Sequence, residues 1–429
     1  MAIIGYRCAR CGAGLPVSTL MPWRCPLESG DRRHVLLLED DGGAFVADEL
    51  DDNPFIRFRH QAAWWAFGRS RGMADDELVG LVNDLDEEIR SIDDTGFTTT
   101  PYGRSPELSD VLGFTAYGGV WIKDETGNVA GSQKARHLFS ILLHLRIAEN
   151  LGLTPWKYVD DRPALAISSC GNAAIAASTL AAAVDWPIDV FIPEWAGGAV
   201  VDILDELGAR VNRCPRRPDD PAGDPTVLRF REAVSAGSIP FSVQGPENAL
   251  CLDGGRTIGW EIADQIRASG APSLDAVFVQ VGGGAFAASV SRGLSEFGMN
   301  VPLYAVQTQG CAPLARAWAS ARHETNPAKN WATHMWPWET EPQSLADGIL
   351  DDETYDWVAD VEQLRQTSGE VVVASEDLVV LASTMGVETT GIPVSPTGTA
   401  GLAGLLASQS HFTPNSNVAV MFSGINRST

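Results

Sequence analysis

The sequence predicts an α/β protein built on largely parallel sheets with both faces covered by helices. The first observation is alternation. From residue 97 onward short apolar runs alternate with helical patterns, and strands are expected at 119–122, 164–168, 188–193, 209–213, 276–281, 302–307, 371–374 and 418–422. The second is punctuation. Several of these strands run straight into small-residue turns: Ser169-Cys170-Gly171, Gly282-Gly283-Gly284 and Ser423-Gly424.

The whole chain sets the bounds. At 429 residues two or three domains are expected, and 45% hydrophobic content is ordinary for a protein with a real core. No run of eighteen apolar residues occurs, and the N-terminus lacks a basic region followed by an apolar signal core, so neither a membrane span nor secretion is expected. A net charge of −24 repels nucleic acid and anionic membrane surfaces. Seven scattered cysteines suit a reducing, cytoplasmic setting better than a disulfide framework.

In chain order, residues 1–40 read as a small separate unit. Cys8-Ala-Arg-Cys11-Gly has the spacing of a zinc knuckle, and with Cys25 and His34 it makes a candidate tetrahedral site. The other reading is a ribbon held by packing alone, with reduced thiols. Residues 41–96 read as a helical connector. Phe58, Trp64, Trp65 and Phe67 lie beside Arg57, Arg59 and Arg69, a mixture that can bind single-stranded nucleic acid. The following helix is acidic, with Leu78, Val82, Leu85, Ile89 and Ile92 on one stripe, so a packed helical pair is the expectation. The tryptophan-rich loop 326–342 either packs or shapes a pocket.

Lys123 to His137 is the central stretch. A short strand passes through a polar, glycine-containing turn into a helix with Leu138, Ile141, Leu142 and Leu145 at helical spacing. Lys134 thus falls at a helix start, where the dipole disfavours a cation. It is either a solvated surface lysine or an amine nucleophile, because a cation-repelling site favours the neutral amine that Schiff-base chemistry needs. Gly282-Gly-Gly-Ala285 offers backbone amides and a helix N-terminus to a phosphate. A dinucleotide site would need Gly-x-Gly-x-x-Gly, and here the third glycine is Ala287. Asn172 is either a ligand or a helix cap. Cys170 reads as a small buried spacer rather than a nucleophile, since no His-paired triad is evident.

In order and spacing these stretches resemble the fold-type II pyridoxal-phosphate (PLP) enzymes, which include threonine synthase, serine/threonine dehydratases, cysteine synthase and the tryptophan synthase β-subunit. The lysine motif resembles Gly131-Ser132-Gln133-Lys134, the substrate loop Ser169-Cys170-Gly171-Asn172, the phosphate loop Gly282-Gly283-Gly284-Ala285, and the pyridine-nitrogen hydroxyl Ser423. Thr100-Pro-Tyr, Gly254–Glu261, Ser344–Ile349 and Ser395–Leu402 resemble further family landmarks.

The resemblance covers roughly 97–429 and implies two three-layer α/β subdomains, the smaller, about 131–240, inserted in the larger. It implies that Lys134 holds PLP and acts as base, that Asn172, Gly282–Ala285 and Ser423 bind the cofactor, and that Ser132 and Ser169–Gly171 seat an amino-acid substrate. A serine at the ring nitrogen implies a weaker electron sink, suited to elimination or replacement at Cβ or Cγ. A homodimer is also implied. The N-terminal unit resembles the zinc-ribbon-like starts of some threonine synthases, although Glu28 stands where a fourth cysteine would be expected.

Finer assignment is divided. Gln133 replaces a phenylalanine, and Ala135-Arg136-His137 replaces the usual acidic continuation. Asp253-Gly-Gly-Arg-Thr-Ile points to threonine synthase, whereas Ser423-Gly-Ile-Asn resembles the dehydratases. A threonine-synthase-like enzyme is the expectation. A dehydratase-like ammonia-lyase and a silent PLP- or amino-acid-binding homologue are the alternatives.

Overall fold

The computed structural model describes residues 1–48 and 51–427. Residues 49 and 50 of the expected connector, and 428 and 429 of the expected catalytic domain, lie outside the described residues. The strands are β1 (Ile3–Cys8), β2 (Gly14–Pro16), β3 (Leu36–Asp40), β4 (Tyr102–Ser105), β5 (Gly119–Asp124), β6 (Leu165–Ser168), β7 (Ile188–Ile192), β8 (Arg210–Arg213), β9 (Ile239–Pro240), β10 (Ala276–Gln280), β11 (Leu303–Thr308), β12 (Glu370–Ala374) and β13 (Asn417–Phe422). All eight strands expected from residue 97 onward are present. The short strands β2, β4 and β9 carry too little apolar alternation to be read from the sequence.

The chain divides into two compact units. The first comprises Met1–Thr98, Asn128–Ala130 and Lys134–Gly254. It holds an antiparallel sheet β2-β1-β3 and a parallel sheet β8-β7-β6-β9. The helix Lys134–Asn150 is buried almost all round, not along one stripe. Phe67 stacks on its His144 with centroids 4.0 Å apart. The connector packs as a helical pair. Leu78, Val82, Leu85 and Ile89 are buried in the helix Asp75–Asp93, but Ile92, in its last turn, is exposed. Arg59 pairs with Asp48 and Asp75, and Trp65 donates to Asp75, so these polar groups are engaged within the unit.

The second unit comprises Thr99–Gly127, Gly131–Gln133 and Gly255–Thr429. Its sheet runs β12-β11-β10-β13-β5-β4, parallel throughout except for β4 at one edge. β10 and β13 are buried at every residue, as the central strands of a covered parallel sheet must be. The landmark stretches meet here. Glu261 accepts from the amide and hydroxyl of Thr100 and pairs with Lys123 on β5, so those stretches are bonded to one another. In the tryptophan-rich loop, Trp331 and His334 pack on Trp357.

Candidate active site

Lys134 is half-buried and is the first residue of its helix. The chain just before it is held by backbone pairing. Ile425 N donates to Gly131 O at 2.9 Å, Gln133 N donates to Ser423 O at 3.0 Å, and Ser132 bridges Gly424 in antiparallel fashion. Gly131 is required, since its φ is +61° and a Cβ would lie 2.7 Å from Ile425 Cγ2. Ser132 is buried.

The sequence contains four lysines, at 123, 134, 157 and 329. Lys157 and Lys329 are exposed. Lys123 is fully buried, and its amine donates to Glu261 at 2.5 Å, Thr100 O at 2.8 Å and Gln265 at 3.1 Å. Three acceptors saturate an ammonium. Lys134 differs from all three in standing half-buried at a helix start. One turn on, His137 lies with Nδ1 2.6 Å from Cys251 O; the carbonyl can only accept, so Nδ1 carries the proton. Burial, with the Lys134 charge adding to it, pushes His137 down to about 3, so it stays neutral.

The turn after β6 places Ser169, Cys170, Gly171 and Asn172 at a helix start, all partly exposed. Cys170 is not the buried spacer expected. Gly171 takes the capping position of the helix Asn172–Ala183, and Asn172 is its first residue, so Asn172 does not cap. Gly171 N lies 3.3 Å from Ser169 Oγ.

In the second unit, β10 ends at Gly282-Gly-Gly before the helix Ala285–Glu296. The loop tolerates only glycine at two positions. A Cβ on Gly282 would lie 2.5 Å from an Asp351 carboxylate oxygen and 3.0 Å from Ile349 Cα, and Gly284 has φ +101°. With no side chains there, amides and the start of a 12-residue helix can meet an anion. Asp360 touches the loop at Gly284 and is fully buried. Burial, and then the neighbouring Asp356, raise its carboxyl well above the usual range, so it is held neutral and adds no full negative charge beside the loop. The loop thus offers amides to an anion such as a phosphate, with the Asp351 carboxylate also beside Gly282.

Ser423, buried at the end of β13, accepts from Gln280 Nε2 at 2.6 Å. Sequence reasoning missed Gln280. Its signal was a single amide inside the apolar run Val277-Phe-Val-Gln-Val. The landmarks around Ser344 and Ser395 are tied together, because Gly348 N donates to Thr397 Oγ1 at 2.9 Å.

The N-terminal site is assembled as well. Cys8, Cys11, Cys25 and His34 hold their ligand atoms within 4.8 Å of one another. Cys8 Sγ lies 3.5 Å from His34 Nδ1, and Cys11 Sγ lies 3.6 Å from Cys25 Sγ. Zinc–sulfur bonds of about 2.3 Å at tetrahedral angles imply sulfur separations of about 3.8 Å, so the spacing fits one zinc ion. Glu28 sits beside Arg24 and Arg32, an ion-pair role in place of a fourth thiolate. Burial and the Arg10 charge lower His34, which keeps it neutral, as a ligand must be.

These features define an α/β protein that carries a half-buried lysine at one helix start and a glycine-rich strand-to-helix loop at another. A family profile described as "Pyridoxal-phosphate dependent enzyme" matches residues 94–424, and the chain belongs to that family. Its cofactor is PLP.

A serine dehydratase-like protein of Rattus norvegicus is 28% identical over 229 residues, which is 53% of this chain. The match spans 62% of that relative's own length. A threonine synthase of Methanosarcina acetivorans is 24% identical over 315 residues, 71% of this chain and 68% of its own. Among solved structures, a threonine deaminase from T.th. has TM-score 0.62 at 21% identity, covering 81% of this chain and 98% of that one. Maize serine racemase has TM-score 0.60 at 18% identity, covering 80% and 93%. Among the described residues no helix is long and apolar enough to cross a membrane.

Proposed function

We propose that this chain acts on an amino acid by elimination or replacement at the β or γ carbon, in the manner of threonine synthase. The observation that carries the reading is the pairing of Gly131–Gln133 with Ser423–Ile425. It makes Lys134 the next residue along the chain from a segment bonded to the Ser423 turn. Family membership supports assigning Lys134, Asn172, Gly282–Ala285 and Ser423 to one cofactor.

PLP, when bound, supplies the electron sink for negative charge at the substrate Cα. The chain does the rest. The amides of Gly282–Ala285 and the helix they open hold the phosphate. The Asn172 side chain hydrogen-bonds the cofactor's phenolic oxygen. The Ser169 hydroxyl and the amides through Gly171 seat the substrate carboxylate, and Ser132 is assigned to the substrate as well. Lys134 Nζ tethers the cofactor and takes the Cα proton as general base. Ser423 presents a hydroxyl, not a carboxylate, to the ring nitrogen, which suits elimination over transamination.

A dehydratase-like ammonia-lyase is the second reading, favoured by the serine dehydratase-like relative and by Ser423-Gly-Ile-Asn426. A silent binding homologue is opposed by the intact Lys134. The test combines labelling with a substrate panel. Borohydride should fix the cofactor on one peptide, that of Lys134. Serine, threonine and activated homoserine derivatives should then be compared for the visible absorption change and the product. Threonine from an activated homoserine supports the first reading; keto acid and ammonia support the second. A labelled Lys134 with no turnover across the panel would leave only the silent homologue.

For the ribbon, we assign one zinc to Cys8, Cys11, Cys25 and His34. Elemental analysis should find about one zinc per chain. Metal-free protein of undiminished thermal stability would end that assignment.

A further inference from the structure

We infer that Gln280 is a positioning residue that fixes the polarity of the Ser423 hydroxyl, making it a hydrogen-bond donor toward the cofactor ring. The inference rests on the reading that Ser423 faces the ring nitrogen, and it adds what decides the direction of that bond. Gln280 is the last residue of β10 and is buried. Its Nε2 lies 2.6 Å from Ser423 Oγ, 2.9 Å from Gly398 O, 3.2 Å from Thr397 O and 3.4 Å from Met421 O. Three of these four neighbours are carbonyl oxygens, which can only accept. Turning the amide over would set its oxygen against Gly398 O at the same short distance, so the NH₂ group must face them. The amide oxygen instead lies by Gly401, where a Cβ would come within 3.1 Å of it.

Ser423 Oγ therefore accepts from Gln280, and its own proton is left to donate. Among the described residues no acceptor takes that proton. A neutral ring nitrogen is an acceptor and satisfies it. A protonated ring nitrogen is a donor, and would leave the buried serine O–H without a partner, which disfavours it. Gln280 thus biases the bound cofactor toward an unprotonated nitrogen, the weaker electron sink that elimination and replacement use. It does so without touching the cofactor itself.

The test uses the holoenzyme loaded with PLP labelled by ¹⁵N in the ring. Wild type should give the nitrogen signal of an unprotonated, hydrogen-bonded ring. Gln280→Met keeps the bulk and removes the donor; the signal should move toward a protonated ring, and PLP affinity should fall by roughly tenfold at most. Gln280→Glu keeps the shape and offers Ser423 an acceptor, so it should move the signal too; it serves also if the methionine variant does not fold. Ser423→Ala separates the two ideas. A shift in Ser423→Ala with wild-type signals in both Gln280 variants would overturn the positioning role and leave the reading of Ser423 standing. No shift in Ser423→Ala would mean that Ser423 does not meet the ring nitrogen, and the reading itself fails.

Discussion

Lys123 and Lys134 lie on either side of one polar turn and are chemically the same residue, yet their surroundings suit them to opposite uses. Lys123 ends in a closed set of acceptors, with Glu261 at 2.5 Å, and has no exposure at all. Lys134 opens a helix and is half-buried. A buried ammonium stays charged only if it is paired, and such pairing removes it as a nucleophile. A lysine at a helix start instead meets the positive end of the helix dipole. The comparison teaches that the reactivity of an amine follows its surroundings and not its identity.

Two substitutions test the contrast most directly. Lys134→Ala should lose turnover by ~10⁴-fold, since it removes the proposed general base, while thermal melting changes little. Steady-state kinetics beside a melting curve checks both halves, and full activity in this variant would break the comparison. Lys123→Met should do the reverse. Leaving Glu261 buried without its partner should cost about 3–5 kcal/mol of stability, with PLP still fixed on Lys134 at low temperature. Adding Glu261→Gln should recover much of that loss, because the amide oxygen still accepts from Thr100. Chemical denaturation of the two variants gives the coupling. A single variant as stable as wild type would show that Lys123 is not held by that pair.

The smallest effect sharpens the lesson from the acidic side. Burial raises the Asp360 carboxyl well above the usual range, and the nearby Asp356 adds to the rise. An unfolded aspartate ionises near ~4. Between that value and the folded one, the folded state holds the extra proton, so stability falls as pH rises and the deficit is complete above the folded value. Asp360→Asn should flatten that part of the stability–pH curve, read as melting temperature from acid to mildly alkaline pH. Parallel curves for the variant and wild type would mean that the carboxyl is not the proton-linked group.

Much of the site was legible because its chemistry constrains local backbone. A triple glycine before a helix, a lysine after a polar turn, and Cys8-x-x-Cys11 each state a local conformation within a few residues, and the structure has all three where the sequence put them. The parallel strands were legible too, because a strand covered on both faces must be apolar throughout, as β10 and β13 nearly are. Helical periodicity misplaced Ile92, which keeps the spacing of the stripe but lies exposed in the last turn of its helix.

The sequence by itself determined the alternation of strand and helix, the family, and the residues with the means to bind a phosphate or donate an amine. Only the tertiary structure decided that Lys123 is the lysine locked away, because the lock is Glu261 and Gln265, far along the chain. It alone laid Gly131–Gln133 on Ser423–Ile425 and set Gln280 against Ser423. The physical reason is common to all three. A buried polar group takes its character from its hydrogen-bond partners, and those are supplied by packing across long sequence separations.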